Sequence, residues 1–253
     1  MESQAHSENQ RQGSLAAGEA PDFCSSPALP ETPDYLRKTY WWAYEHPLAV
    51  RFWDRGFLIN FILLGNYTRL VDAVLEAFPR PLTGSLLQIS NAYGQLVPRI
   101  QQQLDESARF DLIDVLPVQL EKTRRKLKLP DERIRMFPCD ATDLPCPDNS
   151  YDHVLMFFLP HELPEDKRRQ ALSEALRVLK PGGRLVLVEF HRPRTLHPLR
   201  WWQRLVFGLF EPYAMDMWRY PLTHYFPETA RYQVISQTTY FGELYQRLVI
   251  TKT

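Results

Sequence analysis

The sequence predicts an α/β domain built on a mainly parallel, seven-stranded sheet with helices on both faces. Three observations lead there. From Gly84 onward, short apolar runs such as "SLLQI" and "RLVLVEF" alternate with amphipathic segments of helical period. Runs apolar throughout belong to strands covered on both faces, as parallel sheets are. Aromatic-rich stretches of helical spacing also flank the alternation on both sides, which predicts an aromatic helical cover.

Residues 1–33 are rich in Ser, Glu, Gln, Ala and Pro, with Arg11 the only Lys or Arg, and are expected to be a disordered tail. They lack the apolar core of a signal peptide and the Arg-rich, acid-poor character of a transit peptide. The domain is expected over 34–253. Its first part, 34–79, reads as helices broken near Pro47 and Gly65, with Phe57, Phe61, Leu64, Leu70 and Val74 at helical spacing. Trp41, Trp42, Tyr44, Phe52 and Trp53 exceed what one short helix needs for packing. Core packing explains most of these positions, and the surplus suits a planar apolar ligand or a membrane surface.

"SLLQI" is the first strand, followed by a helix from Gly94 to Leu104 that tolerates Pro98 in its first turn. "RFDLIDV" is the second strand, ending at Asp114, and "LPVQLEKTRRKLKL" is a basic amphipathic helix with a solvated face. "RIRMFPCD" is the third strand, ending at Asp140, and "YDHVLMFFL" the fourth. "PEDKRRQALSEALRVL" is a helix with Pro164 in its first turn and acids behind it, stopping at "KPGG". "RLVLVEF" is the fifth strand, and 193–226 a second aromatic-rich helical insertion. "YQVISQTTYF" and "YQRLVITKT" close the chain as an antiparallel pair joined near Gly242.

Bulk composition narrows the function. The 253 residues are 44% hydrophobic and 24% charged, ordinary for a globular domain with a large core. Thirty basic residues balance thirty acidic ones, which argues against nucleic-acid binding driven by bulk charge. Cys24, Cys139 and Cys146 have no zinc spacing and cannot all pair, so a reducing, cytoplasmic location is expected. No apolar run reaches the roughly 18 to 20 residues of a membrane span. Peripheral contact with the inner membrane is expected through aromatics at 40–64 or 201–218.

In open α/β sheets, ligands bind beyond the carboxyl ends of the strands. Asp114 lies where a carboxylate would accept hydrogen bonds from ribose hydroxyls, or else is a solvated strand-end acid. Asp140 and Asp143 could read an adenine amino group, or cap the turn. In "LLQISNAYGQL", Ser90, Ala92 and Gly94 form a small-residue turn after the first strand, and Tyr93 either covers a ligand or packs. His161 and Glu162 after the fourth strand face substrate or cap the next helix, and His191 follows the fifth.

The order of elements together with "VLKPGGRLVLVEF" resembles the class I S-adenosylmethionine-dependent methyltransferases, over about residues 80–253, and implies their Rossmann-like fold. That family's first motif, acid-x-Gly-x-Gly-x-Gly, falls on Gln88, Ser90, Ala92 and Gly94, so one glycine matches and an amide replaces the acid. The stretches "DYLRKTYWWAYEHPLAV", "QISNAYGQL", "DVLPVQL", "FFLPHELPEDKRRQALSEALRVLKPGGRLVLVEFHRP" and "YFGELYQ" further resemble the RquA family of rhodoquinone biosynthesis proteins. The likeness implies conversion of ubiquinone to rhodoquinone, an amino group from S-adenosylmethionine replacing a ring methoxy group, with Mn2+ required and its ligands unassigned. It implies cofactor contacts at Gln88, Ser90, Ala92, Tyr93, Gly94, Asp114, Val115, Asp140, Ala141 and Phe157. It implies catalytic roles among Gln88, Tyr93, Asp143, His161, Glu162 and His191. A carboxylate at position 88 would favour the donor's ammonium form, and Gln88 removes that penalty on an attacking amine. A conventional methyltransferase on a lipophilic or aromatic substrate and a non-catalytic cofactor-binding protein are the alternatives. Oligomeric state is not legible.

Overall fold

The computed structural model describes residues 60–127 and 131–253. The expected tail over 1–33 and residues 34–59 of the expected cover lie outside the described residues. Seven strands form one sheet in the order β3-β2-β1-β4-β5-β7-β6. They are β1 (Ser85–Ile89), β2 (Arg109–Asp114), β3 (Ile134–Pro138), β4 (Tyr151–Phe157), β5 (Leu179–Phe190), β6 (Tyr232–Tyr240) and β7 (Tyr245–Lys252). β1 pairs in parallel with both β2 and β4, and β4 pairs in parallel with β5. β7 runs antiparallel between β5 and β6, so the sheet is mixed but mainly parallel. The chain reverses its direction of travel across the sheet between β1 and β4, which opens a crevice at their carboxyl ends.

Helices α1 (Tyr67–Ala77), α2 (Leu96–Gln101), α3 (Pro117–Lys126) and α4 (Glu165–Val178) accompany the sheet. α1 buries Leu70, Val71 and Val74 completely. Arg247 and Arg184 on the sheet donate to its last-turn carbonyls of Ala73 and Ala77, at 2.8 and 3.0 Å. Arg184 thereby satisfies an acceptor that the helix end leaves open, and Arg247 adds a second donor to a carbonyl already within the helix ladder. On α3, Arg124 and Arg125 pair with Glu121 in solvent, the solvated face the sequence implied.

Some boundaries differ from those the sequence suggests. α2 ends at Gln101 rather than Leu104, because the Gln103 and Leu104 amides bond three residues back and Leu82 N–H takes the Gln103 carbonyl at 2.7 Å. β3 ends at Pro138, two residues before Asp140. Pro164 is the residue before α4 rather than within its first turn. "KPGG" belongs to β5 as a bulge, since Tyr151 pairs with Leu179 and His153 already pairs with Arg184. Gly182 there has φ +78, the left-handed backbone an insertion of this kind uses.

Two buried polar networks hold the layers in register. Asp111 of β2 accepts two bonds from Arg135 of β3, at 2.7 and 2.8 Å, and one from the Tyr151 hydroxyl of β4 at 2.8 Å. Arg168 of α4 is fully buried. Its guanidinium lies 4.5 Å from the Tyr225 ring centroid and donates to the carbonyls of Pro160, Leu163 and Tyr213. That one cation ties the turn after β4 to the segment containing α5 (Arg200–Phe210), α6 (Asp216–Arg219) and the short 3-10 turn Leu222–Tyr225. No described helix is long and apolar enough to cross a membrane.

Candidate active site

A cavity of about 410 Å³ lies at the carboxyl ends of the parallel strands, the size of a small-ligand site. Its first wall is the loop after β1. Ser90 and Gly94 both have positive φ, +69 and +84, so the loop folds tightly although it holds a single glycine. A Cβ at Gly94 would run into the Tyr67 ring of α1. The Tyr67 hydroxyl donates to the Tyr93 carbonyl at 2.9 Å and accepts from the amides of Gln95 and Leu96 at 2.6 and 3.1 Å. One side chain from the preceding helix therefore fastens the loop and caps α2.

Asp114 is the wall's charged group. Its Oδ2 accepts from Asn91 N–H at 2.8 Å and lies 3.4 Å from Ser90 Oγ, and its Oδ1 accepts from Leu116 N–H at 2.8 Å. Burial raises its pKa to about 6 against the pull of these donors. Carboxylate oxygens hold further lone pairs, so both can still accept from a ligand. Gln119 of α3 donates from Nε2 to the Tyr93 hydroxyl at 2.7 Å, while its buried Oε1 has no hydrogen-bond partner among the described residues. An acceptor left orphaned at a cavity wall suits a ligand N–H or O–H. Asp140 accepts from Thr142 N–H and Oγ1, both at 2.8 Å, which shapes the turn beside Ala141.

The opposite wall is aromatic. Phe157, Phe158, Phe190 and Phe207 line it, with Trp202. Within it sits one acid–base pair. His161 Nδ1 lies 2.9 and 3.1 Å from the two oxygens of Glu189, the penultimate residue of β5. Glu189 is wholly buried and also accepts from the amides of His161 at 3.2 Å and Phe190 at 2.6 Å. Burial of the imidazole works against its charge, yet Glu189's charge and hydrogen bond outweigh that and raise the His161 pKa to about 9.

The structure gathers Ser90, Ala92, Tyr93, Asp114, Val115, Asp140, Ala141, Phe157, His161 and Glu162 around this one cavity. Four expected residues do not line it. Gln88 is fully buried beneath the loop and donates to the Ser90 carbonyl at 3.0 Å, and its Oε1 has no partner among the described residues. Gly94 is covered by Tyr67. Asp143 is exposed on the turn after β3. His191 places Nδ1 2.9 Å from the Glu243 carbonyl, turning its ring to the β6–β7 connection. Contributors that went unread in the sequence include Tyr67, Gln119 and Glu189. A lone acid in the apolar run "LVLVEF" was the available signal, because acids are rarely buried unless paired.

S-adenosylmethionine fits this cavity on its donor set: a carboxylate after β2, an orphaned amide oxygen and a small-residue loop after β1. Manganese does not fit in the same sense. No group of three or more His, Cys, Asp or Glu side chains that could hold a metal ion comes together among the described residues.

This strand order and cavity position define the Rossmann-like fold of class I S-adenosylmethionine-dependent methyltransferases. Residues 87–183 match the family model for a methyltransferase domain. The chain is 47% identical over 74 residues to the demethylmenaquinone methyltransferase of Clavibacter sepedonicus, 29% of each chain. It is 32% identical over 143 residues to the ubiquinone/menaquinone biosynthesis C-methyltransferase of Azotobacter vinelandii, 54% of each. The chain thus spans about half or less of the length of these curated relatives. The mitomycin 7-O-methyltransferase structure superposes with a TM-score of 0.63 at 16% identity, covering 85% of this chain and 61% of that one. The chain thus has the methyltransferase fold, matches a methyltransferase domain over residues 87–183, and is similar over part of its length to quinone methyltransferases.

Proposed function

We propose that this protein is an S-adenosylmethionine-dependent transferase that modifies the ring of a lipophilic quinone, replacing a methoxy group of ubiquinone by an amino group to give rhodoquinone. The observation that carries the reading is the division of the cavity, with Asp114 and Gln119 on one wall and a cluster of aromatic rings enclosing one polar pair on the other. The cofactor would supply the transferred group. Asp114 would accept from its hydroxyls, Gln119 Oε1 from another ligand donor, and the aromatic wall would exclude water and stack on the ring. Amination is favoured over methylation by the RquA-like wording of the sequence.

The relatives' names favour a second reading, methyl transfer to a quinone ring carbon. Incubation with S-adenosylmethionine and either a short-chain ubiquinone or its ring-demethylated, reduced analogue, each with and without added Mn2+, followed by product mass, separates the two. Amino-for-methoxy exchange supports the first reading, a gained methyl on a demethylated quinone the second, and an unchanged quinone with bound cofactor overturns both.

Access to a membrane-borne quinone would run through α5. Trp201, Trp202, Leu205 and Leu209 are exposed on it beside Arg200 and Arg204, while Trp202, Val206 and Phe207 line the cavity. A helix with such a face lies at a bilayer surface. Flotation with anionic vesicles should carry the wild type upward and lose Trp201→Ser/Leu209→Ser. Equal flotation of both counts against this contact.

A further inference from the structure

We infer that Glu189 is a positioning residue that fixes His161 so that its Nε2–H donates to an oxygen of the ring substrate. This rests on the quinone reading above and adds to it the group that polarises the ring. Glu189 engages Nδ1 with both oxygens and holds the His161 and Phe190 amides as well, so neither the carboxylate nor the imidazole has room to turn. Phe190 and Phe158 meet the imidazole edge-on, at 4.8 and 5.9 Å between centroids. With Nδ1 occupied and the ring lining the cavity, Nε2 is the nitrogen left to a ligand.

The charges around the pair favour a proton on both nitrogens. Glu189 faces it from β5, Glu162 from its own turn and Glu211 from the end of α5. Arg168 of α4 spends its guanidinium on the Pro160 and Leu163 carbonyls of the same turn. Tyr245 of β7 packs on Phe190, and burial pushes its hydroxyl well above the ordinary range, so it stays neutral. A doubly protonated imidazole in an apolar wall is a fixed donor, already oriented before reaction. No bond to the imidazole forms or breaks. The donor stabilises negative charge growing on a ring oxygen, as when a nucleophile adds to a quinone. It opposes charge being drawn away from that oxygen, as when a quinol carbon attacks an electrophile. The pair thus favours the amination branch.

Nitrogen-15 NMR of the histidine side chains in the full chain, with turnover alongside, tests this. One imidazole, absent in His161→Gln, should stay protonated to near pH 9 in the wild type and titrate about 1–3 units lower in Glu189→Gln. An ordinary titration in the wild type, or none of that fall in Glu189→Gln, overturns the lock. If Glu189→Gln fails to fold, the wild-type titration compared with His161→Gln decides alone. His161→Gln should lower kcat by about 100-fold with cofactor affinity unchanged. Glu189→Gln should move the alkaline limb of kcat to lower pH, and Glu189→Asp should recover part of the rate. Wild-type kcat in all three overturns the ring-oxygen contact. A wild type that leaves ubiquinone unchanged while the resonances behave as expected overturns the quinone reading and the ring-oxygen contact with it, and leaves the Glu189–His161 lock standing.

Discussion

Two buried carboxylates serve the site, Asp114 on one wall of the cavity and Glu189 behind His161 of the other, and they are held in different ways. Asp114 is held by backbone amides and a serine hydroxyl, and burial without a cation raises its pKa to about 6. Glu189 is held by amides too, but it has His161 beside it, and its charge and hydrogen bond raise the histidine's pKa. The first arrangement leaves an acid that gains from ligand hydroxyls. The second leaves a closed pair whose outward face is a donor. Amides alone make a receptor for donors, and amides with an imidazole make a donor in turn.

Removing Glu189 should separate the two sides most sharply. Glu189→Ala leaves His161 buried without its counter-ion and should cost about 3–5 kcal/mol in chemical denaturation, as for other broken buried pairs. Next is Gln88. Gln88→Glu sets a carboxylate against the Ser90 carbonyl in place of a donated hydrogen bond, and should cost about 1–3 kcal/mol. Asp114→Asn keeps an acceptor for the loop amides and removes a buried charge, so stability of the unliganded protein above pH 6 should not fall. Its calorimetric affinity for S-adenosylmethionine should nonetheless fall by about 10-fold, the loss of charge assistance.

The pH dependence should run over two separate windows. His161's folded pKa of about 9 lies above the ordinary 6.5. Its contribution is fully present below 6.5 and is lost as pH rises through 9. Asp114's folded value of about 6 also lies above its ordinary 3.8, so stability of the unliganded protein falls as pH rises from 3.8 to 6. Cofactor affinity should change in the opposite direction there, weakening as Asp114 protonates below pH 6. Denaturation and calorimetry across pH 4–10 with His161→Gln and Asp114→Asn assign each window. A window that persists in its own variant breaks the assignment.

Much of the architecture was legible because strand periodicity and turn chemistry are local. The run of each strand, Asp114 at the end of β2 and the antiparallel closing pair all follow from neighbouring residues. What escaped was pairing at a distance. Glu189 and His161 are 28 residues apart, Tyr67 reaches a loop 26 to 29 residues on, and Gln119 lies in a helix whose basic residues dominate its reading. Gln88 marks the limit of motif alignment. Its position in the loop was legible, but the inward turn of its side chain depends on the Ser90 carbonyl, which only the fold supplies.

The Tyr67 hydroxyl has a mechanical consequence. It bonds the Tyr93 carbonyl and the first amides of α2 at once, so α1 cannot shift without loosening the cofactor loop. Phe61 to Leu64, just before α1, also line the cavity. Any motion there is therefore transmitted to the loop after β1.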